Sequence, residues 1–351
     1  MATESGGMCV SVVMGTFNGE RHVREQLASV LAQTSLPAEI IVCDDGSSDQ
    51  TLLAVEEVRR SAAVPVQVVR NQKRLGFADN FLTGAMRAES EFVAFCDQDD
   101  IWYPTKLERG VGALREHSAV LSAHQVDLVD TDGVRVGEHA QGIDRTRVVE
   151  PLTGDPWMNY FAFTLLFRRD LIDVMPYLDR GEDTYTAGAQ LSHDRWVCML
   201  AHSLGRVVLL DTPLAGYRQH GAQLYGSAGA PSSTQRPGLA AARARLTAAQ
   251  DEQRLRLRTC RRRESQFRSS QPLGDYTAGR LQGAADSWSA LGDRYAARVR
   301  VHSGSSIARR LGRTAAEASR GLYSHVPFTP RDAVKDVVDA LVNGAARTAA
   351  Q

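Results

Sequence analysis

The sequence predicts an α/β protein with a mixed, mostly parallel sheet flanked by helices, followed by a helical C-terminal extension. Three observations carry that expectation. Over the first hundred residues, short apolar β-branched runs alternate with stretches of helical spacing, joined by short connections. The apolar runs are continuous, as strands covered on both faces are. From residue 226 onward the texture changes to Ala/Arg-rich sequence with helical periodicity.

Taken in order, CVSVVM (9–14) reads as the first strand, and GTFNGE (15–20) breaks it. Residues 20–33 place Val23, Leu27, Val30 and Leu31 on one helical face. EIIVC (39–43) is a second strand, ending in DDGSSDQT, where Ser48 or Asp49 can cap a helix over 50–60. VPVQVV (64–69) is a third strand, 78–88 a helix and EFVAFC (91–96) a fourth strand. Beyond it, a helix is expected over 104–117, a strand over 119–128 and a polar irregular stretch to about 156. A strand over 160–168, a helix over 190–204 and a strand over 206–211 complete the pattern. The main domain is expected over 1–225, a linker or mobile loop over 226–240 and the helical extension over 241–351.

Composition excludes some functions. The formal net charge is zero and 23% of residues are charged, so nothing favours a nucleic-acid partner. Five cysteines without a CxxC pair read as buried free thiols in a reducing compartment. No charged-then-apolar leader is visible and no apolar run approaches the roughly 18 to 20 residues of a membrane span. A cytoplasmic protein is the expectation, with possible contact at the inner face of the membrane through RLRLRTCRRRE (254–264).

In a parallel α/β sheet, ligands gather beyond the carboxyl ends of the strands. Four polar clusters fall there: TFN (16–18), DDGS (44–47), KRLG (73–76) and DQDD (97–100). Each alone reads as a turn; four at successive strand ends read as a site. In DQDD, three carboxylates within four residues repel one another, which a hard cation such as Mg²⁺ or Mn²⁺ relieves.

Residues 10–34, IIVCDDGSSDQT, RLGFADNF, FVAFCDQDDIWYPTKL and 191–221 together resemble the family-2 glycosyltransferases of GT-A fold, especially their rhamnosyltransferase-like members. The resemblance implies transfer of a sugar from a UDP- or dTDP-sugar donor to a glycan, lipid-linked or small-molecule acceptor. Thr16, Phe17 and Asn18 would line the nucleotide pocket, with Glu20, Arg74 and Gln98 beside them. Asp45 would accept from the imide N–H that uracil and thymine share. Asp97 and Asp99 match the DxD motif, with Asp99 the metal ligand and Asp97 nearer the ribose or the metal's waters. Arg218 and His220 would contact the diphosphate, His220 also completing the metal shell. Asp194 stands where the family carries its catalytic acid and would act as general base, with Glu182 and Asp183 next in line. His193, Trp102 and Trp157 are candidates for the acceptor side.

Three other readings compete. A nucleotidyltransferase also pairs carboxylates with a metal, but GTFNGE is a poor phosphate loop. A dinucleotide-dependent oxidoreductase needs GxGxxG after the first strand, and none is there. A binding protein that has lost activity would have no need of Asp99, Asp194 and His220 together.

Overall fold

The computed structural model describes residues 10–139, 141–184, 186, 188–219, 239–302, 307–322, 328, 330–337 and 340. The chain divides into two compact units, Met1–Asp179 with Ser192–Ala228, and Arg180–Leu191 with Gly229–Gln351.

The first unit runs β1 (Val10–Thr16), α1 (Val23–Leu31), β2 (Glu39–Asp44), α2 (Thr51–Ser61), β3 (Val66–Arg70), α3 (Phe77–Ala85), β4 (Phe92–Cys96), β5 (Ile101–Trp102) and α4 (Lys106–Glu116). It continues through β6 (Leu121–His124), β7 (Val126–Val129), β8 (Arg135–His139), β9 (Arg147–Val149), β10 (Leu166–Arg168), α5 (His193–Leu204), β11 (Val207–Leu210) and β12 (Ala215–Arg218). Eight strands form one sheet in the order β3-β2-β1-β4-β10-β6-β11-β9, and four form a second, β5-β12-β7-β8. Strands β3, β2, β1 and β4 are mutually parallel, whereas β10 runs antiparallel to both β4 and β6.

The continuous apolar strands are covered on both faces: Val12, Val13, Met14 and Ile40 to Val42 are fully buried. Helix α1 buries Val23, Leu27 and Val30, which recur at helical spacing. Helix α3 lies close to the sheet because Gly84 has no side chain; a Cβ there would stand 2.6 Å from Cys43 Sγ and from Val13 Cγ1. Cys43, Cys96, Cys198 and Cys260 are buried free thiols.

Two expected strands are built differently. The run over 119–128 breaks at Gln125, whose N–H goes to the Leu210 carbonyl while its own carbonyl accepts from Leu214. The chain thereby leaves the large sheet after β6 and enters the small one as β7. The run over 160–168 begins with a 3-10 turn, Ala162–Thr164, and only Leu166–Arg168 pairs as strand. Both conformations bury the same apolar side chains, so hydropathy does not distinguish them. Strands β5, β8, β9 and β12 are short and carry no periodic signal.

In the second unit, α6 (Leu239–Ser269), α7 (Ala278–His302) and α8 (Ile307–Ser319) are helices. Their core includes Cys260, Phe267, Leu281, Trp288 and Tyr295. Half of the arginines of the basic run 254–264 are paired in place: Arg254 with Asp251, Arg256 with Glu252, and Arg261 with Glu264 and Asp293. Arg263 is buried and donates to the Arg180 carbonyl. Glu182 and Asp183 lie in the segment 180–191 of this unit, closed by a 2.9 Å bond from Leu191 N to Gly181 O. Among the described residues no helix is long and apolar enough to cross a membrane.

Candidate active site

Four parallel strands bring Thr16, Asp44, Arg70 and Cys96 to one edge of the sheet. The ladder extends one step further, Asp45 N to Thr16 O and Asn71 N to Asp44 O, both 2.9 Å. The loops that follow are bound to one another. Thr16 Oγ1 donates to Asp44 Oδ1 at 3.1 Å, and Asp44 Oδ2 accepts from Gly46 N at 3.2 Å and Ser47 N at 3.0 Å. Asn18, at a left-handed φ of 50° that asparagine tolerates, receives Ser48 N on its Oδ1 at 2.9 Å and donates its own N–H to Ser47 Oγ at 3.0 Å. Glu20 N donates to Asp49 Oδ2 at 3.1 Å, while Glu20 Oε2 accepts Gln50 N at 2.7 Å.

Gln98 pairs with the Phe17 backbone in both directions, accepting its N–H at 2.9 Å and donating to its carbonyl at 3.2 Å. Gly19 leaves room for this rung, since a Cβ would meet Gln98 Oε1 at 2.1 Å and push the amide off Phe17. The Arg74 guanidinium lies 3.7 Å over the Phe17 ring and 3.8 Å from Asp45 Oδ2. Asp45 is buried and accepts from Leu75 N at 2.7 Å, Gly76 N at 2.9 Å and Asn71 Nδ2 at 3.0 Å. It therefore clips the 71–76 loop; a carboxylate has about four acceptor positions, so one remains.

The acidic cluster follows β4. Asp97 is half-buried by surface area yet densely surrounded, and this desolvation pushes its carboxyl up to about 8, with the Asp99 and Asp194 carboxylates acting in the same direction. Asp100 is fully enclosed; burial first, then Asp99 and Asp97, drive its carboxyl well above the usual range. Tyr217 borders the same cluster, its phenol pushed up to about 12 by burial and by Asp100, Asp97 and Asp99. Asp194 opens α5, with Oδ2 accepting from Asn159 Nδ2 at 2.8 Å and Oδ1 accepting from Arg195 N at 2.8 Å and from Ser192 Oγ. Sequence patterns gave no hint of Asn159, Asn71 or Tyr217, because a single polar residue in a loop or short strand carries no periodicity.

Several expected site residues have other places. Arg218 is 1% exposed, and its guanidinium donates to Asp99 O at 2.9 Å, Thr131 O at 2.6 Å and Glu25 Oε2 at 2.6 Å. Its backbone N–H bonds Asp100 Oδ1 at 3.1 Å, so it ties the DQDD loop to α1 and to the turn before β8 instead of facing a diphosphate. His193 stacks on Phe81 at 4.4 Å and meets Phe95 edge-on, a core position that removes it from the acceptor side. Trp102 is 2% exposed in the core, with the Lys106 ammonium 4.5 Å over its ring, and is likewise closed to an acceptor. Trp157 is buried too, its N–H on Asp155 Oδ1 at 3.0 Å, and forms no open wall. His220 lies outside the described residues.

Among the described residues no group of three or more His, Cys, Asp or Glu is spaced to hold a metal ion. The donor chemistry nonetheless suits a hard cation: Asp97 and Asp99 are acceptor-rich carboxylates two residues apart, and burial together with the Asp99 charge raises the Asp97 carboxyl.

Beyond one edge of the parallel sheet stand two carboxylates, Asp97 and Asp99, and a third, Asp194, lies in the first turn of α5. Residues 11–175, within the first unit, match the profile of glycosyl transferase family 2. An uncharacterised glycosyltransferase of Nostoc sp. is 28% identical over 232 residues, covering 65% of this chain and 70% of that protein. The dTDP-rhamnosyl transferase RfbG of Shigella flexneri is 33% identical over 105 residues, 29% of this chain and 36% of that protein. Among solved structures, S. aureus TarS 1–349 in complex with UDP has the same fold, with a TM-score of 0.53 at 18% identity, covering 98% of this chain and 92% of that one.

Proposed function

We propose that the protein transfers a sugar from a UDP- or dTDP-sugar to an acceptor hydroxyl, with inversion at the anomeric carbon, in glycan, polysaccharide or glycosylated natural-product biosynthesis. The observation that carries this reading is the closeness of Asp194 to Asp97, two carboxylates far apart in the chain. One belongs to the DxD pair and the other sits at a helix start with both oxygens oriented. TarS binds UDP and RfbG uses a dTDP-sugar, which supports a nucleotide-sugar donor and makes rhamnose a sugar to test early.

In this reading the remaining acceptor position of Asp45 takes the imide N–H of the base. Thr16, Phe17, Asn18 and Glu20 wall the nucleotide, with Gln98 fixing Phe17 and Arg74 covering its ring. Asp99, with Asp97 beside it, would hold Mg²⁺ or Mn²⁺, which when bound supplies positive charge toward the departing diphosphate. Asp194 removes the acceptor proton as that oxygen attacks, a task worth about two to four orders of magnitude in rate. A single displacement with one base leaves no covalent intermediate, so the configuration inverts.

The test is to incubate the full chain with a panel of UDP- and dTDP-sugars and simple glycoside acceptors. Nucleotide release should require Mn²⁺ or Mg²⁺ and stop with EDTA, and NMR should show the inverted anomer. Retention of configuration sinks the single-displacement reading, and turnover indifferent to EDTA sinks the metal.

A further inference from the structure

Asp194 is held from two directions. Its Oδ1 takes Ser192 Oγ and Arg195 N, both local to the start of α5. Its Oδ2 takes the Asn159 amide, from 35 residues upstream. Local donors on one oxygen leave rotation about the last side-chain torsion soft, because carboxylate torsions are broad. The bond from Asn159 is what fixes the plane of the carboxylate.

The orientation of that amide is set by Asp194. Turned the other way, Asn159 would face the carboxylate with its own carbonyl oxygen, acceptor against acceptor. Its Oδ1 is buried and has no hydrogen-bond partner among the described residues, so no second contact accounts for its orientation. The segment is firmly seated. Trp157 and Tyr160 on either side are buried, and Met158 N bonds Asp155 O at 3.0 Å. The Tyr160 backbone donates toward the Cys198 thiol, and the Tyr160 ring lies 6.3 Å from that of His202. Asp194, Cys198 and His202 recur every fourth residue, so residues 159 and 160 run down one face of α5.

We propose that Asn159 is the positioning residue for Asp194: it holds the carboxylate in one plane and so aims the lone pair that meets the acceptor proton. The proposal rests on the reading of Asp194 as base. With three of about four acceptor positions filled, the carboxylate presents one direction to a proton. Without Asn159 it can swing, and misalignment on the scale of an ångström costs up to about a hundredfold in rate.

A double-mutant cycle tests this in the full chain, with Asn159→Ala, Asp194→Asn and the two combined. Measured are kcat, the affinity for UDP with Mn²⁺ by calorimetry, and the unfolding midpoint. Asn159→Ala should lower kcat by about ten- to a hundredfold with UDP affinity unchanged, and should add nothing in the Asp194→Asn background, because residues acting as one unit are not additive. Asn159→Asp keeps the size of the side chain but sets an acceptor against Asp194 in place of the donor, and should lower kcat at least as far; the unfolding midpoint and UDP affinity separate this from simple misfolding. A wild-type kcat in Asn159→Ala, equal losses of kcat and UDP affinity, or effects that multiply in the double variant overturn the proposal. If Asp194→Asn alone leaves turnover intact, the base reading falls and this inference falls with it. If Asp194→Asn is slow and Asn159→Ala is not, only this inference falls.

Discussion

Asp99 stands between two carboxylates, Asp97 and Asp100, and its charge contributes to the reluctance of both to ionise. Replacing it with alanine removes like-charge repulsion from the metal-free protein. Asp99→Ala should therefore unfold no earlier than the wild type in thermal denaturation, while Mn²⁺-dependent UDP binding and transfer disappear. A variant that still transfers sugar at the normal rate removes Asp99 from the metal site. At this scale the sequence was legible where chemistry repeats in a short string, as in DQDD, and obscure where a residue acts through a distant partner. The charge of Arg218 suggested an anion, yet its partners are main-chain carbonyls and Glu25, brought together only by folding. His193 precedes Asp194 in sequence but points among Phe77, Phe81 and Phe95, because successive helix residues face different ways.

Helix α5 carries an acid-sensitive group on the same face as Asp194. Burial lowers the His202 imidazole from 6.5 to about 4. The unfolded chain therefore binds a proton below about pH 6.5 that the folded chain refuses until about pH 4, so stability is present above this window and is lost as pH falls through it. The full shift is worth about 3 kcal/mol, an order-of-magnitude figure. His202→Leu should flatten the dependence of the urea midpoint on pH between about 4 and 6.5 relative to the wild type. Parallel curves for the two proteins would show that His202 is solvated in the fold. Elements α1 to α4 and β1 to β4 were readable because each has one face or two faces in a core, and hydropathy reports that directly. The break at Gln125 was not readable, since the change of sheet depends on bonds to Leu210 and Leu214.

On the scale of the whole molecule, donor binding is visible as stabilisation. A ligand at a hundred times its dissociation constant adds about 2.7 kcal/mol to the native state. UDP and dTDP with Mn²⁺ should raise the unfolding midpoint, and CDP at the same concentration should raise it far less. Cytosine lacks the imide donor, and a mispaired buried group costs about 1–3 kcal/mol, roughly one to two orders of magnitude in affinity. Equal shifts with CDP and UDP would take Asp45 out of the base pocket. The order of the elements in the first unit allowed the family resemblance to be read from motifs alone, whereas the grouping of 180–191 with the C-terminal helices follows from contacts that no string of residues reveals.

The bracing of the strand-end loops has a consequence for inheritance and engineering. Asn18 is bonded to Ser47 and Ser48, Glu20 to Asp49 and Gln50, Phe17 to Gln98, and Asp45 to Leu75 and Gly76. Each of these loops is held by bonds from another. A transplant of the 71–76 loop alone from a relative of different donor preference arrives without its clip, whereas the four loops moved as a set bring their own bracing. Changes of donor in such a scaffold should therefore occur in blocks, with substitutions around residues 18, 47, 75 and 98 inherited together.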